Sequence, residues 1–337
     1  MFKVALFHID EPTLKVPDWV KQRLESQSID LAFRQCNTSA EVSELAADAD
    51  VIWVWGGSKL VRPEMLADFS RCRAIIRTGS GTDNIPVTEA TARGILVVNT
   101  PQATSDPVSD HTIALMLSVF RWIPLQDRSL REGGWVCKDL VWDRHLHGST
   151  LGFIGFGRIA QCVARKLSGF DLRYLVYDPQ VSPDVMTELQ ASPATFEEIL
   201  QQADMISLHT PLTEATHHLI GERELRLMKS NVILINTSRG PVVDEQALVE
   251  ALTERRIAAA ALDVFETEPL PESSPLRQLD NVVLTPHVAG YTDEFIKDFW
   301  HYSVEAVCDM AQGFLPASYV NPQAVSRCGF VRRDQNC

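Results

Sequence analysis

At 337 residues the chain is longer than one hydrophobic core usually organises, so two domains are expected. Its composition, 45% hydrophobic and 22% charged, is that of an ordinary globular protein, and a formal charge of −13 argues against a broad phosphate-binding surface and so against nucleic acid as a partner. Seven cysteines (36, 72, 137, 162, 308, 328 and 337) form no CxxC pair, which argues against a zinc or redox motif, leaves no metal site expected, and points to free thiols in a reducing cytoplasm.

The N-terminal MFKVALFHID has too short an apolar run for a signal peptide and reads as a first strand. KVALFH (3–8), ADVIWVW (49–55), RAIIR (73–77) and ILVVN (95–99) follow the pattern of buried parallel strands: short, apolar and β-branched. Between them lie helical stretches such as 38–49, which opens on a Ser/Thr cap, and Pro63 and Pro86 stand where a first helical turn tolerates proline. A long helix is expected from about Asp106 to Trp122; its run IALMLSVF (113–120) is far too short to span a bilayer and reads as buried, so no membrane partner is expected. Residues 133–150 are irregular, with Trp135 and Trp142 in a setting that suggests an arm packed on a neighbouring subunit.

A second alternating series starts at Leu151. Strands are expected at 151–155, 173–178, 203–210, 231–238, 258–265 and 281–286, with helices over 158–168, 195–202, 221–228 and 244–254. Six strands with helical crossovers make a doubly wound dinucleotide fold. A last long helix, about 292–312, returns toward the first domain, and the tail from 313, with few periodic apolar positions, is expected to be loosely ordered.

LGFIGFGRIA (151–160) opens that series as strand, glycine turn and helix. Gly155 allows the tight turn, Gly157 leaves room for backbone to approach a pyrophosphate, and the helix starting near Arg158 and Ile159 aims free N–H groups at it. Ala160 replaces the third glycine, where only close helix–strand packing is needed. Asp178 closes the next strand at the distance where a carboxylate accepts from both ribose hydroxyls of NAD.

Ligands of such sheets sit beyond the carboxyl ends of the strands. Those ends carry Arg239 in NTSRGPVVD, Asp263 and Glu268 in ALDVFETEP, and His287 in TPHVAGY. Reduction of a 2-keto acid needs such a set: a guanidinium fork for carboxylate and carbonyl oxygens, and an imidazole to give a proton to the developing alkoxide. A glutamate beside the histidine favours imidazolium. Taken singly, Arg239 could be a cap or a surface ion pair, Glu268 part of a solvated acidic run with Glu266, and His287 a loop histidine; all three at consecutive strand ends is hard to assign to chance.

The chain here resembles the D-isomer-specific 2-hydroxyacid dehydrogenases, in the phosphoglycerate dehydrogenase and C-terminal-binding-protein-like branch. The resemblance runs over about residues 3–320 in RTGSGTDNI (77–85), NTPQATSDPVSDHTIALML (99–117), LGFIGFGRIA, LHTPLTEATHHLI (208–220), INTSRGPVVDEQALVEAL (235–252), ALDVFETEP and LTPHVAGYT (284–292). It implies two Rossmann-like parallel-sheet domains, the smaller formed by both chain ends: 1–99 with 291–337 for substrate, 100–290 for NAD. It implies Arg239 as substrate arginine, Glu268 as histidine partner and His287 as general acid/base. Asp263 would orient the nicotinamide amide, and His209, Thr210, Pro211, Thr237, His287 and Gly290 would lie along the cofactor, although His209 could equally be structural. Ser80 and Gly81 would hold the substrate carboxylate through backbone N–H groups, with Asn84 nearby.

Two features depart from the family pattern, the WVWGG segment (53–57) and the Cys-bearing tail after Pro322. An indole at Trp55 beside Ser80 and Gly81 would limit the pocket to small acids such as glyoxylate or hydroxypyruvate; alternatively, Trp55 turns into the core, since strand parity is uncertain by one residue. The resemblance thus implies a cytoplasmic, homodimeric, NAD-dependent dehydrogenase of a D-2-hydroxy acid. A second reading, from the corepressor relatives, is an NAD(H)-sensing interaction protein with incidental turnover.

Overall fold

The computed structural model describes residues 1–9, 14–135 and 145–333. Cys137, Trp142 and Cys337 lie outside the described residues. The chain forms two compact units, Met1–Thr104 with Thr292–Cys337, and Ser105–Tyr291.

Among the described residues the first unit holds five parallel strands: β1 (Phe2–His8), β2 (Ile29–Gln35), β3 (Val51–Val54), β4 (Ala74–Arg77) and β5 (Leu96–Asn99). Their order is β2-β1-β3-β4-β5. Alternation along each strand divides the core in two. Leu6, Val51, Trp53, Ile76 and Val98 face helices Asp18–Ser26 and Phe295–Ala311, while Phe7, Ile52, Val54, Ile75 and Val97 face the helices at Ser39–Ala46 and Val87–Arg93. Burial on both faces explains why these strands read as continuous apolar runs. The helix at Ser39 starts where a capping box forms: Thr38 Oγ1 accepts from the Glu41 N–H at 3.3 Å, and Glu41 accepts from the Thr38 N–H at 2.9 Å.

Strand β2 is absent from the sequence-based expectation. It is an edge strand, IDLAFRQ, whose polar residues blur the apolar signal. The tail corrects a second expectation, because it is packed rather than loose as far as the described residues reach. Val320 N–H donates to the Val97 carbonyl at 2.9 Å, and the Asn321 carboxamide bonds Val97 N–H at 2.7 Å and the Ile95 carbonyl at 2.9 Å. The tail thereby covers the exposed edge of β5. Arg73 then lies over the Phe330 ring at 4.0 Å.

Trp55 is a third correction. It shares the parity of Val51 and Trp53 and is 3% exposed, with its ring 4.4 Å from Trp300 and 6.1 Å from Phe299. The indole is core, not pocket lining.

The second unit holds β6 (Thr150–Ile154), β7 (Arg173–Tyr177), β8 (Ala191–Pro193), β9 (Met205–Leu208), β10 (Ile233–Asn236), β11 (Ala259–Leu262) and β12 (Val282–Leu284). These seven described strands are parallel in the order β12-β11-β10-β9-β6-β7-β8. The six expected strands are present, and the short β8 extends one edge. Strand order reverses at β6, the switch point where doubly wound sheets bind ligands. Helix Gln102–Phe120 buries Leu115, Met116, Val119 and Phe120 against this sheet, as its apolar run predicts. A separate helix, Ile123–Arg131, follows a break at Trp122, whose φ is +54°. No helix among the described residues is long and apolar enough to cross a membrane.

Trp55→Ala is therefore expected to lower stability by about 3–5 kcal/mol without reordering keto-acid preference. Thermal unfolding alongside a substrate panel checks it; a changed ranking at parent stability would contradict the core placement.

Candidate functional site

The glycine turn after β6 meets the demands of a dinucleotide. Gly155 has φ +86°, and a Cβ there would lie 2.8 Å from the His209 carbonyl carbon, so the end of β9 and the turn touch only because no side chain intervenes. Among the described residues nothing lies within 4 Å of a Cβ placed on Gly157. The helix Arg158–Lys166 begins there with no side-chain cap on its first N–H groups. Arg158 is exposed and Ile159 half-buried at that entrance. Asp178 is fixed at the turn: one oxygen accepts from Phe156 N–H at 2.7 Å, the other from Gln180 and Val181 N–H at 2.8 and 3.2 Å. Thr210 supplies an independent sign, a buried hydroxyl with no hydrogen-bond partner among the described residues. An open glycine, an uncapped helix, a fixed acid and an orphan hydroxyl together fit NAD.

His209 behaves differently from its neighbours Thr210 and Pro211. Its Nε2 meets Ser207 Oγ at 2.8 Å, its ring lies 5.9 Å from Phe153, and burial pushes it down to about 3. The imidazole is neutral and structural, which leaves its backbone to line the turn. Thr237 likewise spends its hydroxyl inside the unit, 2.8 Å from Thr112 Oγ1. Gly290 follows in the turn that Tyr291 N–H closes on the Val288 carbonyl at 2.8 Å.

Beyond β10, β11 and β12 the structure gathers the three residues of the expected reaction in one unit. His287 Nδ1 stands 2.7 Å from Glu268 Oε2, with the two side chains 47% and 35% exposed. Glu268 Oε1 accepts from Phe265 N–H at 3.0 Å. Burial works to raise the Glu268 carboxyl, but the hydrogen bonds from His287 and Phe265 and the charges of His287 and Arg239 outweigh it and hold it below the usual carboxylate range. A depressed carboxyl contributes stability above its unfolded-state value and loses it as pH falls through the folded one.

Asp263, 1% exposed, positions the loop that bears His287. Its oxygens accept from Thr285 Oγ1 at 2.6 Å and from Val288 and Ala289 N–H at 2.9 Å, and its carbonyl accepts from His287 N–H at 2.7 Å. His111, on helix Gln102–Phe120, completes the group at 3.0 Å from Thr285 Oγ1 and 3.6 Å from Asp263. His287 itself has φ +54°, a conformation that a side-chain-bearing residue holds only where its surroundings dictate it.

Arg239 follows β10 on a turn built by Asn236, whose carboxamide donates to the Arg239 carbonyl at 2.9 Å and accepts from Ser238 N–H at 3.0 Å. The next residue must be glycine, since a Cβ on Gly240 would sit 1.9 Å from the Phe265 carbonyl carbon. Backbone contact between Gly240 and Phe265 thus sets the spacing of the Arg239 and Glu268 loops.

In the first unit, Ser80 and Gly81 lie on a loop tied by Asn99 Nδ2, 2.7 Å from the Ser80 carbonyl. Asn84 donates to the Ser58 carbonyl at 2.7 Å and joins this loop to the Gly56–Gly57 segment.

His111, Asn236, Gly240 and Thr285 were not singled out by the sequence. Asn236 and Gly240 flank the arginine and are within reach of a local reading. His111 and Thr285 are 174 positions apart, with no local pattern to connect them. No group of His, Cys, Asp or Glu among the described residues could hold a metal ion.

Residues 113–289 match the family described as D-isomer specific 2-hydroxyacid dehydrogenase, NAD binding domain. A glyoxylate reductase of Thermococcus litoralis is 41% identical over 272 residues, covering 79% of this chain and 82% of its own. A D-3-phosphoglycerate dehydrogenase of Methanocaldococcus jannaschii is 41% identical over 285 residues, 84% of this chain but 54% of its own. Among solved structures, a glyoxylate reductase from Paecilomyes thermophila aligns with TM-score 0.86 at 28% identity, covering 96% of this chain and 99% of that one. With the dinucleotide turn already in place, the chain belongs to the D-isomer specific 2-hydroxyacid dehydrogenase family and is an NAD-dependent oxidoreductase.

Proposed function

We propose that the chain reduces a small 2-keto acid to the D-2-hydroxy acid, and runs the reverse reaction, with His287 as general acid/base. The observation that carries this reading is the 2.7 Å pair between His287 Nδ1 and Glu268, formed beside Arg239 at three consecutive strand ends. Glu268 occupies Nδ1 and so leaves Nε2 to exchange a proton with substrate. Arg239 binds the substrate carboxylate and polarises its carbonyl oxygen through a planar fork. NADH, which the Gly155–Gly157 turn and Asp178 would hold, would supply the hydride for C2. In reduction the His287 imidazolium gives its proton to the alkoxide that forms, and the Glu268 carboxylate stabilises that imidazolium beforehand. In oxidation the neutral ring takes the proton back.

We assign the cofactor domain to Ser105–Tyr291 and the substrate-binding domain to Met1–Thr104 with Thr292–Cys337. Preference for a small acid no longer rests on Trp55. It rests on the glyoxylate reductase relative, which this chain spans for 82% of its length, whereas it spans about half of the phosphoglycerate dehydrogenase. No observation at the site favours the interaction-protein reading over turnover.

NADH oxidation against glyoxylate, hydroxypyruvate, pyruvate and a phosphorylated keto acid tests the assignment, with glyoxylate or hydroxypyruvate expected to lead. His287→Ala should lower kcat by about 10²–10⁴-fold while NADH still binds, because the imidazole acts on substrate alone. Glu268→Gln should keep measurable activity and move the alkaline limb of the reduction profile to lower pH. The sign follows from the carboxylate's role: without it imidazolium is less favoured, so the proton donor is lost at lower pH. An unmoved limb would refute the pairing.

Asp178 should favour NADH over NADPH, since it repels a 2′-phosphate and Pro179, Gln180, Val181 and Ser182 offer no compensating cation. Equal or inverted kcat/KM for the two cofactors would count against it.

We also infer a homodimer in which residues 122–148 reach the partner. Helix Ile123–Arg131 buries none of its residues, and Ile123, Leu130 and Trp135 are 52%, 57% and 88% exposed, an apolar surface that association would cover. Residues 136–144 of that arm lie outside the described residues. Sedimentation at micromolar concentration should give a dimer mass; a monomer would refute the interface.

A further inference from the structure

Three loops leave the carboxyl ends of β9, β10 and β11 and meet at His218, Glu245 and Glu266. The first carries His218, whose N–H donates to the Pro241 carbonyl at 2.8 Å, while Ile220 N–H donates to the Val242 carbonyl at 3.1 Å. That pairing joins the β9 loop to the segment Arg239 begins. His218 Nε2 then reaches across to Glu266 Oε1 at 2.6 Å. Glu266 and Glu245 exchange bonds: Glu245 N–H donates to the Glu266 carboxylate at 3.2 Å, and Glu266 N–H to the Glu245 carboxylate at 3.1 Å. Arg239 stands two residues before Pro241, and Glu268 two residues after Glu266.

We propose that His218, Glu266 and Glu245 form a clasp that fixes the Glu268 loop against the Arg239 loop, making His218 and Glu266 positioning residues for the reaction. The proposal rests on the roles given above to Arg239, Glu268 and His287.

Two features single out this contact from an ordinary surface ion pair. His218 adopts φ +51°, and its ring stacks on His217 at 4.0 Å, so the imidazole is held in a backbone conformation that costs free energy. The clasp also brings like charges together. Asp244 lies 4.0 Å from His218 Nδ1, and Glu245 is held above the usual carboxylate range, first by burial and further by the charge of Glu266, against the lowering effect of the Glu266 N–H. His218 stands between Asp244 and Glu266, one ring nitrogen toward each, and removing it leaves both carboxylates without that partner. Gly240 fixes the distance between the two loops by backbone contact, and the clasp fixes their sliding along one another. A displacement of a positioned group by about 1 Å costs on the order of a hundredfold in rate.

The experiment compares His218→Ala, Glu266→Ala, their double variant and His218→Gln in the full chain, assayed with NADH and whichever panel acid the parent reduces fastest. Glu268→Gln serves as reference. Both single variants should lower kcat/KM for the keto acid by about tenfold or more, with KM for NADH unchanged. The double variant should be no worse than either single, because both remove the same contact. The alkaline limb of reduction should move down in His218→Ala, in the direction of Glu268→Gln, as Glu268 loses its fixed approach to His287. His218→Gln should recover activity, since its amide nitrogen reaches the place of Nε2. Parent-like kcat/KM in His218→Ala, additive losses, or a lowered melting temperature with the parent pH profile would each overturn the clasp. An unmoved limb in Glu268→Gln overturns the parent reading and the clasp with it; a limb that moves there but not in His218→Ala overturns the clasp alone.

Discussion

The carboxylate of Asp263 is the constraint on which the strand-end loops around His287 depend. It is almost wholly buried at the end of β11, where an acid without partners would be costly. Three hydrogen bonds reach it from the segment that follows β12, from the Thr285 hydroxyl and the Val288 and Ala289 amides, while His111 stands 3.6 Å away on helix Gln102–Phe120. Satisfying one buried charge therefore bends residues 285–289 around it and forces His287, between them, into a left-handed conformation. The side chain that emerges from that bend meets Glu268. The sequence-based reading has Asp263 orient the nicotinamide; in this structure its carboxylate anchors the loop that bears His287.

Close backbone approach supplies the second constraint. Gly155 against His209 and Gly240 against Phe265 each bring two strand-end loops to a distance that any side chain would prevent. The first contact shapes the dinucleotide turn, the second the spacing of arginine and glutamate. Both lie at ends of strands in a sheet whose register is fixed by burial on two faces, so the loops inherit a rigid frame. The placing of Arg239, Glu268 and His287 comes from this frame and not from the exposed ion pair itself, which in isolation would be worth little.

Electrostatic coupling then follows from geometry. Glu268 is half-exposed, yet its carboxyl is depressed because a histidine, a backbone amide and the charge of Arg239 oppose its partial burial. In the first unit the same economy of polar groups serves structure: Asn321 satisfies the open edge of β5, and Asn84 joins two loops.

Much of this was legible in the sequence. Short β-branched runs alternating with capped helices gave the strands of both sheets except β2 and β8, because a doubly buried strand must be apolar along its length and an edge strand need not be. The dinucleotide turn was readable because Gly155, Gly157 and Asp178 act within one β-α-β unit, and Arg239, Glu268 and His287 were readable because strand ends can be counted along the chain. What only the tertiary structure decided lies in contacts between segments far apart in sequence. Parity placed Trp55 in the core with Trp300, Asn321 closed the sheet 224 positions from Val97, and His111, Thr285 and Asp263 met across the second unit. Periodicity and motif spacing report local geometry; the partner that satisfies a buried polar group is chosen by packing, which no local pattern encodes.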